Sequence, residues 1–377
     1  MRHVLNLALF GLISLVVVGG LLWVFRDRLL PLVGNYADTG SGGRAELVVP
    51  DGYEASVYAD SLSGPRFMAV SPDGVLFVAE RGADRIVALP DADADGVADE
   101  VVEVGAGFGR AHDIEFTDDG ALLVAGETTL YSLALAADGI HEAGRQIIVD
   151  DLPTGGAHPT RTVEVLPSGE ILLSIGSSCD VCLEEDDRRA AISHVTAAGS
   201  QRLYMTGLRN AVGLWVDPDT GRAWATNMGR DRLGDDRPPD TLYEVVDGAD
   251  GGWPRCHAGT VVDPEFGGVD ACERDARPAA TFPAHTAPLA LVGWDDHLVV
   301  ALHGSWNSSV KVGYKLVWLP WDGGPTGDVA DLATGFLPDG ATDALGRPAG
   351  LAVGADGALY VSDDKAGFIY RIARSGE

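Results

Sequence analysis

The chain has 377 residues and a formal net charge of −29, with 56 acidic residues against 27 basic ones. So acidic a surface repels polyanions, which argues against nucleic acid and anionic lipid headgroups as partners. Hydrophobic residues make up 46% of the chain, enough for a large core, which excludes wholesale disorder. An anionic ligand would therefore need a local cluster of the scarce basic side chains.

The N-terminal region begins with an apolar run. Val4 to Phe25 is free of charge and long enough to cross a bilayer as a helix. No small-residue cleavage site follows it, which favours an uncleaved anchor over a signal peptide, and arginines on both sides leave the orientation open. We expect a membrane anchor at 1–34 that spans at 4–25, a polar linker at 35–46, and one domain at 47–377 outside the cytoplasm.

An acidic loop follows the first β-rich segments. Its carboxylates occupy positions 1, 3, 5 and 9 of an EF-hand-type calcium loop, with Gly96 at position 6. Position 12 is Val102 instead of glutamate, although Glu100 or Glu103 could substitute. Two interpretations stay open, a structural calcium site and an ordinary acidic surface loop. The candidate ligands are Asp91, Asp93, Asp95 and Asp99.

Six segments repeat one pattern along the chain. Each contains an alternating apolar run, a tight turn of the Asp-Gly type and a second β-rich run, which together are typical of a β-hairpin. Six such units predict an all-β fold, a six-bladed β-propeller. An early strand at Tyr53–Ala59 is expected to join the last blade and close the ring. The repeats begin at Arg66, His112, Arg161, Ala211, Pro288 and Ala349.

The four cysteines form two local groups. Cys179 and Cys182 make a C-x-x-C, and Cys256 and Cys272 follow with 15 residues between them. An even count and an export-like N-terminus predict two disulfides in an oxidising compartment. A four-cysteine zinc site is less favoured because the second pair lacks zinc spacing, and a redox C-x-x-C lacks the surrounding βαβ pattern.

Unusual polar residues stand at or near the start of the inner strand of three repeats. They are His112, His158 and the pair Arg209-Asn210. The loops around the central channel are where a propeller carries functional residues. A histidine in such a loop is either an ordinary loop residue or a base that faces the channel, and its pKa near neutrality suits the second role.

Several motifs in fixed order resemble the glucose/sorbosone dehydrogenase family, and the sorbosone-dehydrogenase-like branch fits best. The resemblance covers about residues 47 to 373. Members are six-bladed propellers that oxidise sugars with pyrroloquinoline quinone (PQQ) and calcium. The motifs are HPTRT, GSSCDVC, GLRNAVGLWVDPDTGRAWATNMGRD, AHTAPL, LHGSWN and GRPAGLAV with YVSDDKAGFIYRI.

The resemblance implies roles for particular residues. His158 would take the proton of the sugar's anomeric hydroxyl while a hydride passes to the quinone. Arg209 and Asn210 would lie against the quinone, where the arginine stabilises developing negative charge. The backbone carbonyls of Gly229 and Arg230 would hold calcium, a hard cation that accepts oxygen ligands.

Further residues are implied as ligands of the metal or of the three carboxylates of PQQ. The acidic side chains Asp231, Asp235 and Asp236 follow the calcium loop and are candidate ligands of that ion or a second one. For the cofactor the candidates are His112, which a structural role suits equally, Lys311 and Arg347. Ser308 stands where sorbosone-like members more often have an arginine, three residues before Lys311.

The leading hypothesis is a membrane-anchored PQQ-dependent sugar dehydrogenase that oxidises an aldose or sugar aldehyde at C1. Its membrane contact would be the N-terminal helix, and the sequence does not identify its sugar or its electron acceptor. A metal-dependent six-bladed lactonase is an alternative, although its channel would gather Glu, Asn and Asp side chains. A non-catalytic propeller that binds a partner or polysaccharide is the other alternative.

Overall fold

The structure is a computed structural model that describes residues 42–273 and 275–376. The predicted anchor at 1–34 and the linker up to residue 41 lie outside the described residues. Within the described ranges, no helix is long and apolar enough to cross a membrane. The regular structure described there consists of β-strands joined by turns and loops.

The first three blades follow one another along the chain after an initial strand. That strand is β1 (Tyr53–Ala59). Blade one contains β2 (Pro65–Val70), β3 (Leu76–Glu80), β4 (Arg85–Leu89) and β5 (Val102–Ala106). Blade two contains β6 (Asp113–Phe116), β7 (Leu122–Ala125), β8 (Leu130–Leu135) and β9 (Glu142–Val149). Blade three contains β10 (Arg161–Val165), β11 (Ile171–Ile175), β12 (Ala191–Val195) and β13 (Gln201–Thr206).

The other three blades complete the ring. Blade four contains β14 (Leu214–Val216), β15 (Ala223–Asn227), β16 (Asp240–Glu244) and β19 (Ala280–Phe282), with a small hairpin inserted, β17 (Cys256–His257) and β18 (Val261–Val262). Blade five contains β20 (Pro288–Trp294), β21 (His297–Leu302), β22 (Lys315–Pro320) and β23 (Ala330–Ala333). Blade six contains β24 (Pro348–Val353), β25 (Leu359–Asp363) and β26 (Phe368–Arg374), and β1 is its fourth strand.

Every blade is an antiparallel four-stranded sheet, so the predicted six-bladed propeller is confirmed. The predicted closure is also confirmed, because β1 pairs with β26 from Tyr53 opposite Arg374 onwards. The Asp-Gly turns behave as the sequence indicates. In the first of them Gly74 has a φ of 86° and its N–H donates to Ser71 O at 2.8 Å, a conformation that glycine adopts without steric cost.

The hydrophobic core lies between the faces of neighbouring blades. Ile86 of blade one packs in one cluster with Ile114 and Val124 of blade two, and all three are fully buried. The same arrangement recurs between blades two and three, where Ala125 and Ile175 share a cluster. Because inner strands such as β3, β7 and β11 bury side chains on both faces of their sheets, the blades stack as layers around the channel.

Residues at the start of the described chain pack on the propeller. Gly43 donates its N–H to Leu345 O at 3.0 Å, and Ala45 donates its N–H to the Tyr370 hydroxyl at 2.9 Å. Ala45 is buried in the cluster shared by blades five and six. The last residues of the predicted linker therefore contact blade six.

Both predicted disulfides are present, which confirms that expectation. Cys179 is joined to Cys182 with a Cα–Cα distance of 6.2 Å, and Cys256 is joined to Cys272 with a Cα–Cα distance of 5.3 Å. The four sulfurs are thus committed to two bridges instead of one zinc site. The first bridge lies in the loop between β11 and β12, and the second ties the inserted hairpin to the segment that follows it.

One end of the channel collects two kinds of loop. The first strand of each blade begins there and the second strand ends there, as shown by the pairing of Pro65 with Glu80, Asp113 with Ala125, and Arg161 with Ile175. We call this the upper end. Loops before the first strands and loops after the second strands therefore meet at the upper end.

Candidate active site

The upper end of the channel gathers basic side chains in an otherwise acidic protein. Several of them are buried, and two of these, Arg161 and Arg189, bond only backbone carbonyls in the described part of the chain. Buried positive charge is costly unless it meets negative charge, so such a cluster is suited to hold an anion. The basic residues at this end include Arg66, His112, His158, Arg161, Arg189, Arg209, His303 and Arg347.

His158 is held in one orientation by Ser177, which follows β11. The His158 Nδ1 atom lies 2.9 Å from Ser177 O and 2.9 Å from Ser177 Oγ. The Ser177 hydroxyl donates its only proton to the Cys179 carbonyl at 2.6 Å. Both Ser177 oxygens therefore act as acceptors toward Nδ1, so Nδ1 carries the proton and Nε2 carries the lone pair.

The pKa of His158 lies well below its ordinary value of 6.5. Burial by the surrounding protein lowers it most, and the charges of Arg209, Arg189 and Arg161 lower it further, against a backbone contact with Ser177 that raises it. The imidazole is therefore neutral at pH 7. A neutral ring with a lone pair on Nε2 can accept a proton, which is what a general base requires.

Two arginines hold the loop that carries His158. Arg161 donates to the His158 carbonyl at 3.2 Å and to Thr160 O at 2.8 Å, and Arg189 donates to Thr154 O at 2.6 Å and Gly155 O at 2.9 Å. These bonds satisfy carbonyls of an irregular loop that has few backbone partners of its own. The two arginines thereby fix the backbone on both sides of the double glycine.

The double glycine of GGAHPTRT has a structural reason. Gly155 has a φ of 70° and Gly156 a φ of 88°, values that favour glycine. A Cβ on Gly156 would lie 2.6 Å from the Cα of Ser178, closer than real Cβ contacts. The loop therefore needs glycine here to pass against the segment that contains Ser177.

Arg209 and Asn210 lie beside His158. Arg209 donates from Nη2 to Asp180 Oδ1 and to Asp231 Oδ2, each at 2.9 Å, and from Nε to Asp180 O at 3.0 Å. A Cβ on Gly176 would overlap both the Asn210 side chain and the Cβ of His158. The structure thus brings His158, Arg209 and Asn210 together.

His112 lies in a second network at the upper end. Arg66 donates from Nε to His112 Nδ1 at 3.1 Å, so the His112 proton is on Nε2. That Nε2 atom is buried, and among the described residues it has no hydrogen-bond partner. Burial, followed by the charges of Arg66 and Arg81, holds the pKa of His112 well below 6.5. His112 is therefore a neutral N–H donor.

Asp364 connects this network to blade five. It forms an ion pair with Arg66 and accepts from His303 Nε2 at 3.0 Å. Burial alone would raise the pKa of Asp364, but His303 and Arg66 hold it below its usual range. Burial and the nearby Arg347 lower the pKa of His303 to about 4. Asp364 is thus an ionised carboxylate that aligns two basic side chains.

Sequence reasoning missed Arg66, His303 and Asp364 as site residues. His303 and Asp364 come directly after the second strand of their blades, as the segment containing Ser177 does in blade three. Arg66 begins the first repeat in the same way that Arg161 begins the third. The sequence was searched for polar residues before each first strand. A search after each second strand as well would have found His303 and Asp364.

Arg347 and Lys311 both lie near Tyr314 of blade five. Arg347 donates to His303 O at 3.2 Å and Gly304 O at 2.9 Å, and its guanidinium is 5.8 Å from the centroid of the Tyr314 ring. Lys311 is exposed, with Nζ 3.3 Å from the Tyr314 hydroxyl. The structure therefore places both predicted cofactor cations in one sector of the upper end.

The predicted calcium loop lies between β15 and β16. Gly229 donates its N–H to Asp240 Oδ1 at 2.8 Å. Arg230 is buried and its guanidinium bonds Asp263 and Glu265, the latter at 3.1 Å. These bonds anchor the loop from both sides. Calcium coordination by the Gly229 and Arg230 carbonyls stays a prediction.

The carboxylates after this loop are spread apart. Asp231 accepts from Arg209 and, at 2.8 Å, from Asn307 Nδ2. Asp235 is exposed and accepts from the Ser309 N–H at 3.0 Å and from its hydroxyl. Asp236 is also exposed. In the described part of the chain these aspartates do not form a group of three ligand atoms within 4.8 Å, so a metal role for Asp235 and Asp236 stays a prediction.

The acidic loop of blade one brings three of its four predicted ligands together. Carboxylate oxygens of Asp91, Asp93 and Asp99 lie within 4.8 Å of one another. Asp95 instead accepts the Val97 N–H at 2.9 Å. Calcium binding at this loop stays a prediction, with three converging carboxylates as its basis.

The fold and the upper end define the chain as a six-bladed propeller with a cluster of basic side chains at one end of its channel. The sequence matches the TrAA12-like family over residues 47–239 and 262–375, and the chain belongs to that family. It is 25% identical to the pyrroloquinoline quinone-dependent pyranose dehydrogenase of Coprinopsis cinerea over 407 aligned positions, which cover 88% of this chain and 55% of that protein. The chain spans 55% to 60% of the length of the curated relatives that it matches.

Solved structures share the fold. The holo form of the PQQ domain of pyranose dehydrogenase from Coprinopsis cinerea has a TM-score of 0.79 at 24% identity, and covers 89% of this chain and 99% of its own. A calcium structure of a family AA12 carbohydrate-active enzyme from Trichoderma reesei has a TM-score of 0.77 at 20% identity, and covers 89% and 100%. The predicted resemblance to PQQ-dependent sugar dehydrogenases is confirmed at the level of the family, and the sorbosone-like branch stays a prediction.

Proposed function

We propose that the protein oxidises an aldose or sugar aldehyde at C1 with PQQ and calcium, and that His158 is the general base. The observation that carries the proposal is the state of His158, a neutral imidazole with Nδ1–H bound to Ser177 and a lone pair on Nε2. The names of the family's relatives, a pyranose dehydrogenase that depends on PQQ among them, support the substrate class and the cofactor.

The residues at the upper end fit an anionic, oxygen-rich cofactor. Arg66, Arg209 and Arg347 supply guanidinium groups around the channel, and a guanidinium donates charge-assisted hydrogen bonds to carboxylates. The buried Nε2–H of His112 lacks an acceptor among the described residues and is suited to bind an oxygen atom. Asn210 and Lys311 complete the set of proposed cofactor residues.

The chain's own residues have distinct tasks in the proposed reaction. PQQ, when bound, supplies the acceptor for the hydride that leaves C1. His158 Nε2 takes the proton of the C1 hydroxyl, which makes the departure of the hydride possible. Arg209 stabilises the negative charge that develops nearby, and the Gly229 and Arg230 carbonyls hold calcium.

A location outside the cytoplasm accords with the two disulfides, which persist in oxidising compartments. We further propose that the N-terminal segment anchors the domain to a membrane, on the basis of its uncharged run. The substrate is a small sugar.

Cofactor uptake tests the proposal directly. The purified full chain, titrated with PQQ in the presence of Ca²⁺, should show saturable absorbance changes, and the loaded protein should reduce an artificial dye when given aldoses. EGTA should reduce this activity, and His158→Ala should abolish it. Arg202→Gln, which alters an exposed ion pair with Asp247, serves as the matched control.

Other outcomes separate the alternatives. Failure to take up PQQ at any Ca²⁺ concentration contradicts the proposal and favours a non-catalytic binding propeller. Hydrolysis of a lactone without dye reduction favours a metal-dependent hydrolase.

A further inference from the structure

The Cys179–Cys182 disulfide closes a four-residue ring that lies between His158 and Arg209. Its second residue, Asp180, receives four hydrogen bonds. Arg209 donates to its carbonyl from Nε at 3.0 Å and to its Oδ1 from Nη2 at 2.9 Å. The Asp231 N–H donates to Oδ1 at 2.8 Å and Trp253 Nε1 donates to the carbonyl at 3.2 Å. Asp180 is therefore the point at which three separate segments are held together.

These bonds determine which edge of Arg209 remains available. They use Nε and Nη2, and Asp231 Oδ2 adds another contact to Nη2. In the residues that the structure describes, no hydrogen bond uses Nη1. Because the guanidinium is rigid and planar, fixing one edge also fixes the direction of the other. Asp180 therefore sets where Nη1 points.

The same ring acts on His158 through Ser177. The Cys179 carbonyl accepts the Ser177 hydroxyl proton at 2.6 Å, which leaves the Ser177 Oγ atom to accept from His158 Nδ1. If the Cys179 carbonyl moved away, the hydroxyl would no longer be held as an acceptor, and Nδ1–H would keep only the Ser177 carbonyl at 2.9 Å. The proton would stay on Nδ1, but the ring would lose one of the two contacts that fix its orientation.

We propose that the disulfide-closed ring Cys179–Cys182 is the positioning element of the site, with Asp180 as the positioning residue for Arg209 and the Cys179 carbonyl as the group that holds the Ser177 hydroxyl in place as an acceptor for His158. The bridge restricts the backbone of both residues at once. The inference rests on the proposed function for the roles of His158 and Arg209, but the contacts themselves exist without a cofactor. A misplacement of about 1 Å in such groups can cost about a hundredfold in rate.

Nuclear magnetic resonance of the cofactor-free full chain, labelled with ¹⁵N, tests the inference. The Nε–H signal of Arg209 is assigned by its loss in Arg209→Lys, and the ring nitrogens of His158 by their loss in His158→Gln. The wild type should show slow exchange of the Arg209 Nε–H and the Nδ1–H tautomer of His158. In the double variant Cys179→Ala/Cys182→Ala, exchange of the Arg209 Nε–H and of the His158 Nδ1–H should each speed up by about tenfold or more.

A matched control lies in the same loop. Asp186→Asn removes a carboxylate that bonds Arg188 Nε at 3.0 Å and Nη2 at 2.8 Å, and it should leave both signals unchanged. A folded double variant that keeps slow exchange of both N–H groups overturns the inference. If the double variant does not fold, Asp180→Asn decides the arginine arm by Nη2–H exchange and Ser177→Ala decides the histidine arm by Nδ1–H exchange, each with the same expected direction and the same overturning result.

Turnover measurements separate this inference from the proposed function. If the wild type takes up PQQ and oxidises sugar, the double variant should lose about tenfold to a hundredfold in kcat/KM. If the wild type takes up no PQQ, the proposed function fails, while the resonance measurements still decide whether the ring positions the two side chains.

Discussion

His112 and His158 lie in corresponding loops of consecutive blades, yet they hold their protons on opposite nitrogens. At His112 the Arg66 Nε–H donates to Nδ1, so Nε2 carries the proton. At His158 the Ser177 oxygens accept from Nδ1, so Nε2 carries the lone pair. The comparison shows that the neighbours of a histidine, and not its place in the repeat, decide whether it can donate or accept a proton.

The surroundings of the two rings follow the same division. His112 is buried and packs against the Phe67 ring with a centroid distance of 4.4 Å. His158 is partly exposed and belongs to a loop that opens on Gly155 and Gly156. A buried donor suits binding of a fixed oxygen atom, whereas a reachable lone pair suits proton transfer to and from a substrate that comes and goes.

Glutamine at each position should separate the two roles most strongly. An amide can accept from Arg66 and still offer an N–H, so His112→Gln should keep kcat/KM within about tenfold of the wild type. An amide cannot take up a proton, so His158→Gln should lower kcat/KM by about 10² to 10⁴. Dye reduction with an aldose at saturating PQQ and Ca²⁺ measures both. Equal losses in the two variants would contradict the division of roles.

Arg66→Met removes the guanidinium that donates to His112 Nδ1 and pairs with Asp364. It leaves the largely buried Asp364 beside His303 and Arg347 without its ion pair to Arg66, and removing one partner of such a pair costs about 3 kcal/mol or more. The free energy of unfolding in urea should fall by about that amount. Arg202→Met, in an exposed pair with Asp247, should change it by about 0.5 kcal/mol or less. Similar small losses in both variants would show that the Arg66 pair is not structurally important.

The sequence predicted the fold well because its information is local. Turn residues and period-two alternation recur in all six repeats, and each repeat begins within a few residues of an observed first strand, such as Arg66 beside β2 (Pro65–Val70). The positions of His158 and Arg209 followed from motifs that are continuous in the chain.

The rest of the site depends on partners far apart in the chain. Arg66 and Asp364 are separated by 298 positions, and no periodic pattern connects them. The tautomers of His112 and His158 depend on which atom each neighbour presents to Nδ1, which residue types alone do not specify. The aspartates that follow the predicted calcium loop are a further case. Their spacing in the sequence does not reveal that Asp235 bonds Ser309.

The two histidines should contribute to the pH dependence of stability in the same direction. Burial holds the pKa of both His112 and His158 well below 6.5, the value expected in the unfolded chain. Below pH 6.5 the unfolded state therefore binds a proton that the folded state does not, so stability is complete above that pH and is lost as the pH falls. Each of His112→Gln and His158→Gln should reduce the slope of unfolding free energy against pH by about 1.4 kcal/mol per unit between about pH 5 and 6.

The slope of the unfolding free energy against pH is measured by urea titration at several pH values. The quantity to compare is the difference in that slope between each variant and the wild type. Burial raises the pKa of both Asp363 and Glu115 to about 7. These carboxyls therefore bind protons in the folded state over the same range and give the opposite slope, which subtraction of the wild-type curve removes. A slope that changes in only one variant would mean that the other ring is already protonated in the folded protein. For His158 that result would exclude the neutral base, whereas for His112 it would replace a neutral donor with a cation beside Arg66.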